Sequence, residues 1–472
     1  MKRLIFLLSG LPLLFFFGCR DDSADNPKFG EQDIPNIYVG WQTVMAYKLG
    51  DTIKIVPQVS PADGATYRWT LDGKEIATTK DLSYALNDFL VNVELKFEVI
   101  RNGVSNSRTA TVLVTKNFEP KPNKKKLVGF LTKNGSLDDI DWGSITHLVI
   151  SSAAVQPDGS VNLAFLQTMN LPTLLAYAHH YGVYVILEFS GNINYLNSSC
   201  YYDSWNFYTP AVADPEGMAS KIEKTMKDYG FDGVNIYMDK ASVTGLYDNP
   251  AAVKVFYQTV ADKIKSSKHT IDGKEYDYLL TMSVIGGWTR EAFGGVANMP
   301  EYDFVNVLAF LDEDIVNVPR SMGTVAYANT EIADWLNWAS LGPIEDPTRL
   351  ILVAPAPGIR YFGIPATYTW PTWDNFTEYI SYRDILSRYS AQFPGIPTRN
   401  PAVLVLKENN NDRNKEVDKI YYNGLKDMER RVDLIVVPNN LGGVGLWSLE
   451  SDTQDPASSL LKTLKATLDK YE

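Results

Sequence analysis

Residues 231–240 read FDGVNIYMDK. An Asp-Gly pair precedes alternating apolar residues, and the run stops at an acid. Side chains along a strand alternate between two faces, so Asn235, Tyr237 and Asp239 share one face. That face carries an amide, a phenol and a single carboxyl. A lone carboxyl at a strand end can give or take a proton as a general acid or base. The amide and the phenol stay uncharged near neutral pH and offer hydrogen bonds only. The stretch therefore reads either as a catalytic strand or as one whose catalytic acids have been replaced. A further reading makes Asp239 a residual acid held by Lys240 or a backbone amide.

Other chemistries have less to draw on. The four histidines, His147, His179, His180 and His269, show no metal-ligand spacing, and there is no Cys-x-x-Cys, so neither a metal nor a cofactor is expected. His179 and His180 read as closing a helix. A formal net charge of −12 argues against a nucleic-acid partner, because phosphate binding needs clustered Lys and Arg. The basic cluster Lys121–Lys126 sits in a Pro-containing segment and reads as a solvated connector.

The elements that must position the 231–240 face follow from periodicity. The 472 residues, 45% hydrophobic and 21% charged, suit two folded units plus a targeting segment. From about Ile34 to Val114, strand-like runs (DTIKIVPQV, ATYRWTLDGKEI, VELKFEVIRNG, TATVLVT) alternate with Asp-Gly and Asn-Gly turns. Short strands at that spacing read as a β-sandwich with Trp69 in its core. After NFEPKPNKKK the pattern changes. Apolar runs recur at 126–131, 145–153, 183–189, 233–238, 278–287, 303–310, 349–356 and 443–449, with amphipathic segments between them. That alternation predicts a parallel (β/α)8 TIM barrel, so the fold class expected is α/β with a small all-β domain in front. Asp214 and Pro215 predict a helix start, with Met218, Ile222, Met226 and Tyr229 recurring at helical spacing and Gly230 as the stop. The helix feeds directly into FDGVNIYMDK, which becomes strand four. A second helix is expected from Asn249 and Pro250, with Val253, Phe256, Val260 and Ile264 on one face.

At the N-terminus, Lys2 and Arg3 precede an apolar run from Leu4 to Phe17, then Gly18 and Cys19. The run is too short to span a bilayer and fits a secretory signal peptide. Gly18-Cys19 resembles a bacterial lipoprotein cleavage site, in which the Cys is lipidated. The following RDDSAD resembles the export signal of Bacteroidetes surface lipoproteins. The resemblance implies a signal peptide at 1–18, lipidation at Cys19, an acidic tether over 19–33 and a protein anchored outside the outer membrane. The other cysteine, Cys200, is then a single thiol. The remaining boundaries expected are a β module at 34–117, a linker at 118–126 and the barrel at 127–472. YRWTLDGKEI resembles PKD and immunoglobulin-like modules, which implies a spacer or docking role.

The barrel resembles family 18 glycoside hydrolases, the chitinases and endo-β-N-acetylglucosaminidases. The matching stretches are VGF, ITHLVIS, YGVYVILEFSGN, DGVNIYMD, DFVNVLAF and GGVGLWSLE. The family's strand-four pattern is Asp-Gly-x-Asp-x-Asp-x-Glu. Its Glu protonates the glycosidic oxygen, and the preceding Asp orients the substrate's own acetamido group as nucleophile. Here Asp232 and Gly233 match, while Asn235, Tyr237 and Asp239 stand where the pattern has Asp, Asp and Glu. On strand six, Leu308-Ala309-Phe310-Leu311 replaces Met-x-Tyr-Asp, with Asp312 one residue further on. On strand three, Glu188 departs from the family's small-residue pattern.

The aromatic equipment for sugars remains. The resemblance places Trp447 under the central sugar ring. Trp288 follows strand five, and Tyr361, Tyr368, Trp370 and Trp373 follow strand seven. Tyr201, Tyr202, Trp205 and Tyr208 follow strand three. Aromatic faces cover the C–H surface of a pyranose. The resemblance thus implies substrate-binding positions at Asp232, Asn235, Tyr237, Phe310, Trp288, Tyr361 and Trp447, with Asp239 as the one residual catalytic candidate. The expected function is binding of N-acetylglucosamine-containing glycans, N-glycans or chitooligosaccharides, by an inactive or weakly active barrel beside a glycan-uptake transporter complex. The enzymatic alternative is an endo-β-N-acetylglucosaminidase using Asp239, helped by Asp312 or Glu188. A third alternative is a structural subunit whose barrel face docks a partner protein.

Overall fold

The computed structural model describes residues 34–90, 92–122, 124–191, 205–238, 250–285, 290–310, 319–337, 343–365, 377–406 and 416–471. The chain divides into an N-terminal β unit and a larger unit that runs from Leu113 to the end, with residues 46–49 joined to it.

In the β unit, the strands Val44–Lys48, Val104–Thr115, Val93–Arg101, Ala65–Leu71 and Lys74–Ala77 form one sheet in that order, antiparallel from Val104–Thr115 onward. Two short ladders accompany it, Thr52–Ile55 with Leu82–Ala85 and Asn36–Tyr38 with Gln58–Ser60. Period-two alternation builds the core: Leu95, Phe97 and Val99 are fully buried on one face of their strand. Trp69 stacks on Phe97 at 4.3 Å between ring centroids, and its indole N–H donates to the Thr79 carbonyl at 3.0 Å. The sheet's hairpins turn on Asp72-Gly73 and Asn102-Gly103, all four at positive φ. That conformation matches the right-handed twist of the flanking strands.

The larger unit is a closed barrel. Its strands are, in chain order, Lys126–Thr132, His147–Val155, Tyr184–Ser190, Gly233–Tyr237, Leu279–Val284, Phe304–Leu308, Leu350–Pro355 and Gly443–Trp447, hereafter strands one to eight. Each pairs in parallel with its neighbours, and strand one pairs with both strand two and strand eight, which closes the ring. All eight expected apolar runs become strands. Buried on both faces, such strands need near-continuous hydrophobic sequence.

The helix Pro215–Tyr229 precedes strand four as expected. Asp214 caps it by accepting from the Gly217 backbone N–H at 2.9 Å, and Gly230 ends it at φ 73°. Met218, Ile222 and Met226 are buried against the barrel, but Tyr229 is 38% exposed. It lies in the last turn, beyond the part of the helix that the barrel covers. Asp214→Ala is expected to cost about 1 kcal/mol in urea unfolding, the usual worth of such a cap. The helix Pro250–Lys265 buries Val253, Phe256, Val260 and Ile264 completely.

Two features were not expected. Between strands seven and eight the chain builds a separate antiparallel sheet, in the order Thr377–Ile380, Gly358–Pro365, Glu416–Tyr421, Val403–Leu406. The Lys121–Lys126 segment, expected as a solvated connector, is bound to the barrel. The Lys121 ammonium donates to the carbonyls of Trp142, Gly143 and Ile145 at 2.5, 2.9 and 2.7 Å, and Lys125 donates to Leu441 O at 2.7 Å. Burial lowers the Lys121 pKa to about 8. A lysine leaves water when fixed carbonyls replace its hydration, and sequence spacing does not reveal those acceptors.

Candidate functional site

Glu188, on strand three, and Asn235, on strand four, are Cα partners in the parallel ladder. Asn235 is in turn paired with Thr281 on strand five, and Ser283 with Asn306 on strand six. This register brings five fully buried polar side chains into one layer inside the barrel, joined by Ser151 from strand two. Glu188 is the layer's carboxyl. Ser151 Oγ donates to its Oε1 at 2.6 Å, and Asn235 Nδ2 donates to its Oε2 at 2.8 Å. Asn235 Nδ2 also donates to Ser283 Oγ at 2.9 Å, while its Oδ1 accepts from Thr281 Oγ1 at 2.8 Å and Asn306 Nδ2 at 3.2 Å. Both ends of the Asn235 amide are therefore occupied by protein.

One step toward the mouth the layer turns aromatic. Tyr237, Phe310, Tyr361 and Trp447 belong to one buried cluster with Ile285 and Met322. Phe310 lies against Trp447, ring centroids 5.4 Å apart and planes at 26°, and Trp447 is only 3% exposed. The Tyr361 hydroxyl accepts from the Arg320 backbone N–H at 3.3 Å and donates to the Arg320 carbonyl at 3.2 Å. Burial raises the Tyr361 pKa above its ordinary value, so the phenol stays protonated and uncharged. Two peptide bonds at this end of the barrel, Ser151–Ser152 and Trp447–Ser448, are cis.

Asp232 does not join this group. It precedes strand four, at the floor of the barrel, where its carboxylate accepts from the Val185 backbone N–H at 2.7 Å. His179 Nε2 lies 2.9 and 3.0 Å from its two oxygens, and His269 Nδ1 lies 3.4 Å from one of them. The expectation that Asp232 binds substrate is corrected by this placement: an acid at the N-terminal end of a barrel strand serves the scaffold. His179 and His180 do end their helix, Leu171–His180. Asp239, Trp288, Leu311, Asp312, Tyr368, Trp370, Trp373, Tyr201, Tyr202, Cys19 and Cys200 lie outside the described residues. So do the Trp205 side chain and the expected signal peptide and tether. Tyr208 is nearly buried, in the helix Trp205–Ala213.

Chemically, the described interior offers hydrogen bonds and one carboxyl on strand three. The stretch 233–238 of strand four and its end carries no carboxylate. Glu188 was visible in the sequence only as an oddity; its link to Asn235 follows from strand register. Among the described residues no group of His, Cys, Asp and Glu could hold a metal ion, and no helix is long and apolar enough to cross a membrane.

A closed ring of eight parallel strands alternating with helices, its interior polar layer beneath aromatic rings at the strand ends, is a TIM barrel. The chain belongs to glycosyl hydrolases family 18, whose model matches residues 126–452. A PKD-like domain matches residues 41–101. Among solved structures, a chitinase from Bacteroides thetaiotaomicron is similar at 16% identity and TM-score 0.53, over 73% of this chain and 96% of that one. A family 18 N-acetylglucosaminidase from Paenibacillus barengoltzii is similar at 14% identity and TM-score 0.52, over 73% and 99%. A plant class V chitinase mutant from Cycas revoluta, solved in complex with (GlcNAc)3, is similar at 16% identity and TM-score 0.52, over 73% and 99%. At these identities the likeness is one of fold. No curated protein matches the chain by sequence.

Proposed function

We propose that this chain is a non-hydrolysing family 18 protein that binds N-acetylglucosamine-containing glycans, N-glycans or chitooligosaccharides. In this reading a lipid on Cys19 holds it at the outer surface of the outer membrane, where it presents captured glycan to a neighbouring uptake transporter. The observation that carries the loss of hydrolysis is the state of strand four. Position 235 is an amide whose two ends are taken up by Glu188, Ser283, Thr281 and Asn306, and position 237 is a buried phenol. Substrate-assisted cleavage needs a carboxylate beside the acetamido group to bear the developing positive charge, and neither side chain supplies one. Phe310, just past strand six, likewise has no hydroxyl to offer that group. The ligand class is supported by the family and by the aromatic residues around the strand ends.

One observation favours a second reading, in which the barrel face docks a partner protein. Trp447 is covered by Phe310, and Tyr237 and Tyr361 are buried with them. A sugar stacked on the Trp447 face that Phe310 lies against would have to displace Phe310.

Incubation of the purified protein and its Asp239→Ala variant with chitooligosaccharides and with high-mannose and complex N-glycopeptides separates the readings. Retention of glycan with no cleavage by either protein is the expected result. Cleavage lost in Asp239→Ala would establish the endo-β-N-acetylglucosaminidase. Neither retention nor cleavage would leave the docking subunit.

A further inference from the structure

The family pattern carries an acid on strand four where this chain has Asn235, and a small residue on strand three where this chain has Glu188. The structure makes these two departures one. The positions are Cα partners on adjacent strands, and their side chains meet at 2.8 Å inside the barrel. We propose that they are a reciprocal exchange: the carboxyl has moved across the ladder from strand four to strand three. Glu188 is the positioning residue that fixes the Asn235 amide and, through it, the strand-four face on which Tyr237 stands.

The hydrogen-bond chemistry gives the exchange its direction. A carboxylate only accepts. Glu188 receives the Ser151 hydroxyl and the Asn235 amide N–H, so Asn235 must aim Nδ2 at strand three and Oδ1 at Thr281 and Asn306. Turning the amide over would set two acceptors against each other at the Glu188 end and two donors at the Asn306 end. An Asp at position 235 opposite Glu188 would place two carboxyls at hydrogen-bond distance in a buried layer, where like charges force one of them to hold a proton. Restoring the strand-four acid alone therefore conflicts with Glu188 and does not rebuild the family's arrangement. Toward the mouth stands the Tyr237 phenol, and toward the floor stand His147 on strand two and, acting on it, Lys126 on strand one. Ser151, Asn235 and Ser283, which reach Glu188 from strands two, four and five, are neutral.

A reciprocal cycle tests this: wild type, Asn235→Asp, Glu188→Gln and the double variant E188Q/N235D, each unfolded in urea from pH 5 to pH 9. In Asn235→Asp the carboxyl pair shares a proton, so one folded-state pKa rises above its unfolded value. Stability is then present at low pH and lost as pH rises. Relative to wild type, its unfolding constant is expected to increase at least tenfold between pH 5 and pH 8. In the double variant, the new amide on strand three donates across the ladder, and the new carboxylate on strand four accepts from it and from Thr281 and Asn306. That variant is expected to return to within about threefold of wild type with the pH dependence gone. A wild-type pH profile in Asn235→Asp, or a double variant no more stable than the two single losses combined, would overturn the exchange. If Asn235→Asp does not fold at pH 8, the double variant decides: folded supports the exchange, unfolded overturns it.

Discussion

Gly233→Ala is expected to lose at least about 3 kcal/mol in urea unfolding, the range of severe backbone conflicts. A Cβ at this position would sit 2.2 Å from the Leu279 carbonyl oxygen and 2.7 Å from the Leu279 Cβ. Leu279 is the residue with which Gly233 pairs across strands four and five, so neither atom moves without opening the ladder. Gly295 in the helix Arg290–Ala297 is the control. An added Cβ there meets nothing within 4 Å, and Gly295→Ala is expected to be neutral or to stabilise by up to about 1 kcal/mol. Equal losses in the two variants, or none at Gly233, would remove the steric argument. The result bears on function. Asp232 and Gly233, the two strand-four positions that match the family, are the ones that the barrel's own packing uses. Asp232 ties the starts of strands three and four together, and Gly233 permits the close approach of strand five.

Acid is expected to destabilise the barrel well above the range where its carboxylates titrate. His147 is buried, its Nδ1 2.8 Å from Thr146 Oγ1. Burial, with Lys126 adding to it, lowers the folded-state pKa from 6.5 to about 3. In the unfolded chain the imidazole takes its proton near pH 6.5, so below that pH the unfolded state binds more protons than the folded one. Stability is complete above about pH 6.5 and falls with pH down to about 3, by about 1.4 kcal/mol per unit at full effect. Burial also lowers the pKa of His180 and, against the pull of Asp232, of His269, which steepens the same slope. His147→Gln is expected to be less stable than wild type at pH 8 and to show a shallower loss between pH 6.5 and pH 4. Parallel pH curves for the two proteins would rule His147 out as the cause.

Much of the scaffold was legible along the chain because its determinants are local. The eight apolar runs became the eight barrel strands, and Asp214 and Gly230 bound their helix where a cap and a stop were read. The Asp-Gly and Asn-Gly pairs turned their hairpins through positive φ. Period-two alternation correctly put Asn235 and Tyr237 on the interior face. Tyr229 fits the helical repeat of its neighbours but stays exposed, because period assigns a face and not how far the partner surface extends. The sheet between strands seven and eight went unread, since the expectation stopped at aromatic residues following strand seven.

By itself, the sequence determined the fold class, the order of the strands and the absence of carboxylates at positions 235 and 237, since these depend on residue type and period. Only the tertiary structure decided which side chains meet. Strand register set Glu188 against Asn235 and turned two separate departures into one hydrogen-bonded pair. Barrel closure put Asp232 on the floor beside His179, gave Lys121 three carbonyls in place of water, and laid Phe310 over Trp447. Each of these contacts joins residues far apart in sequence. A linear pattern carries no distance between such residues, so their chemistry became visible only when the ring of strands closed.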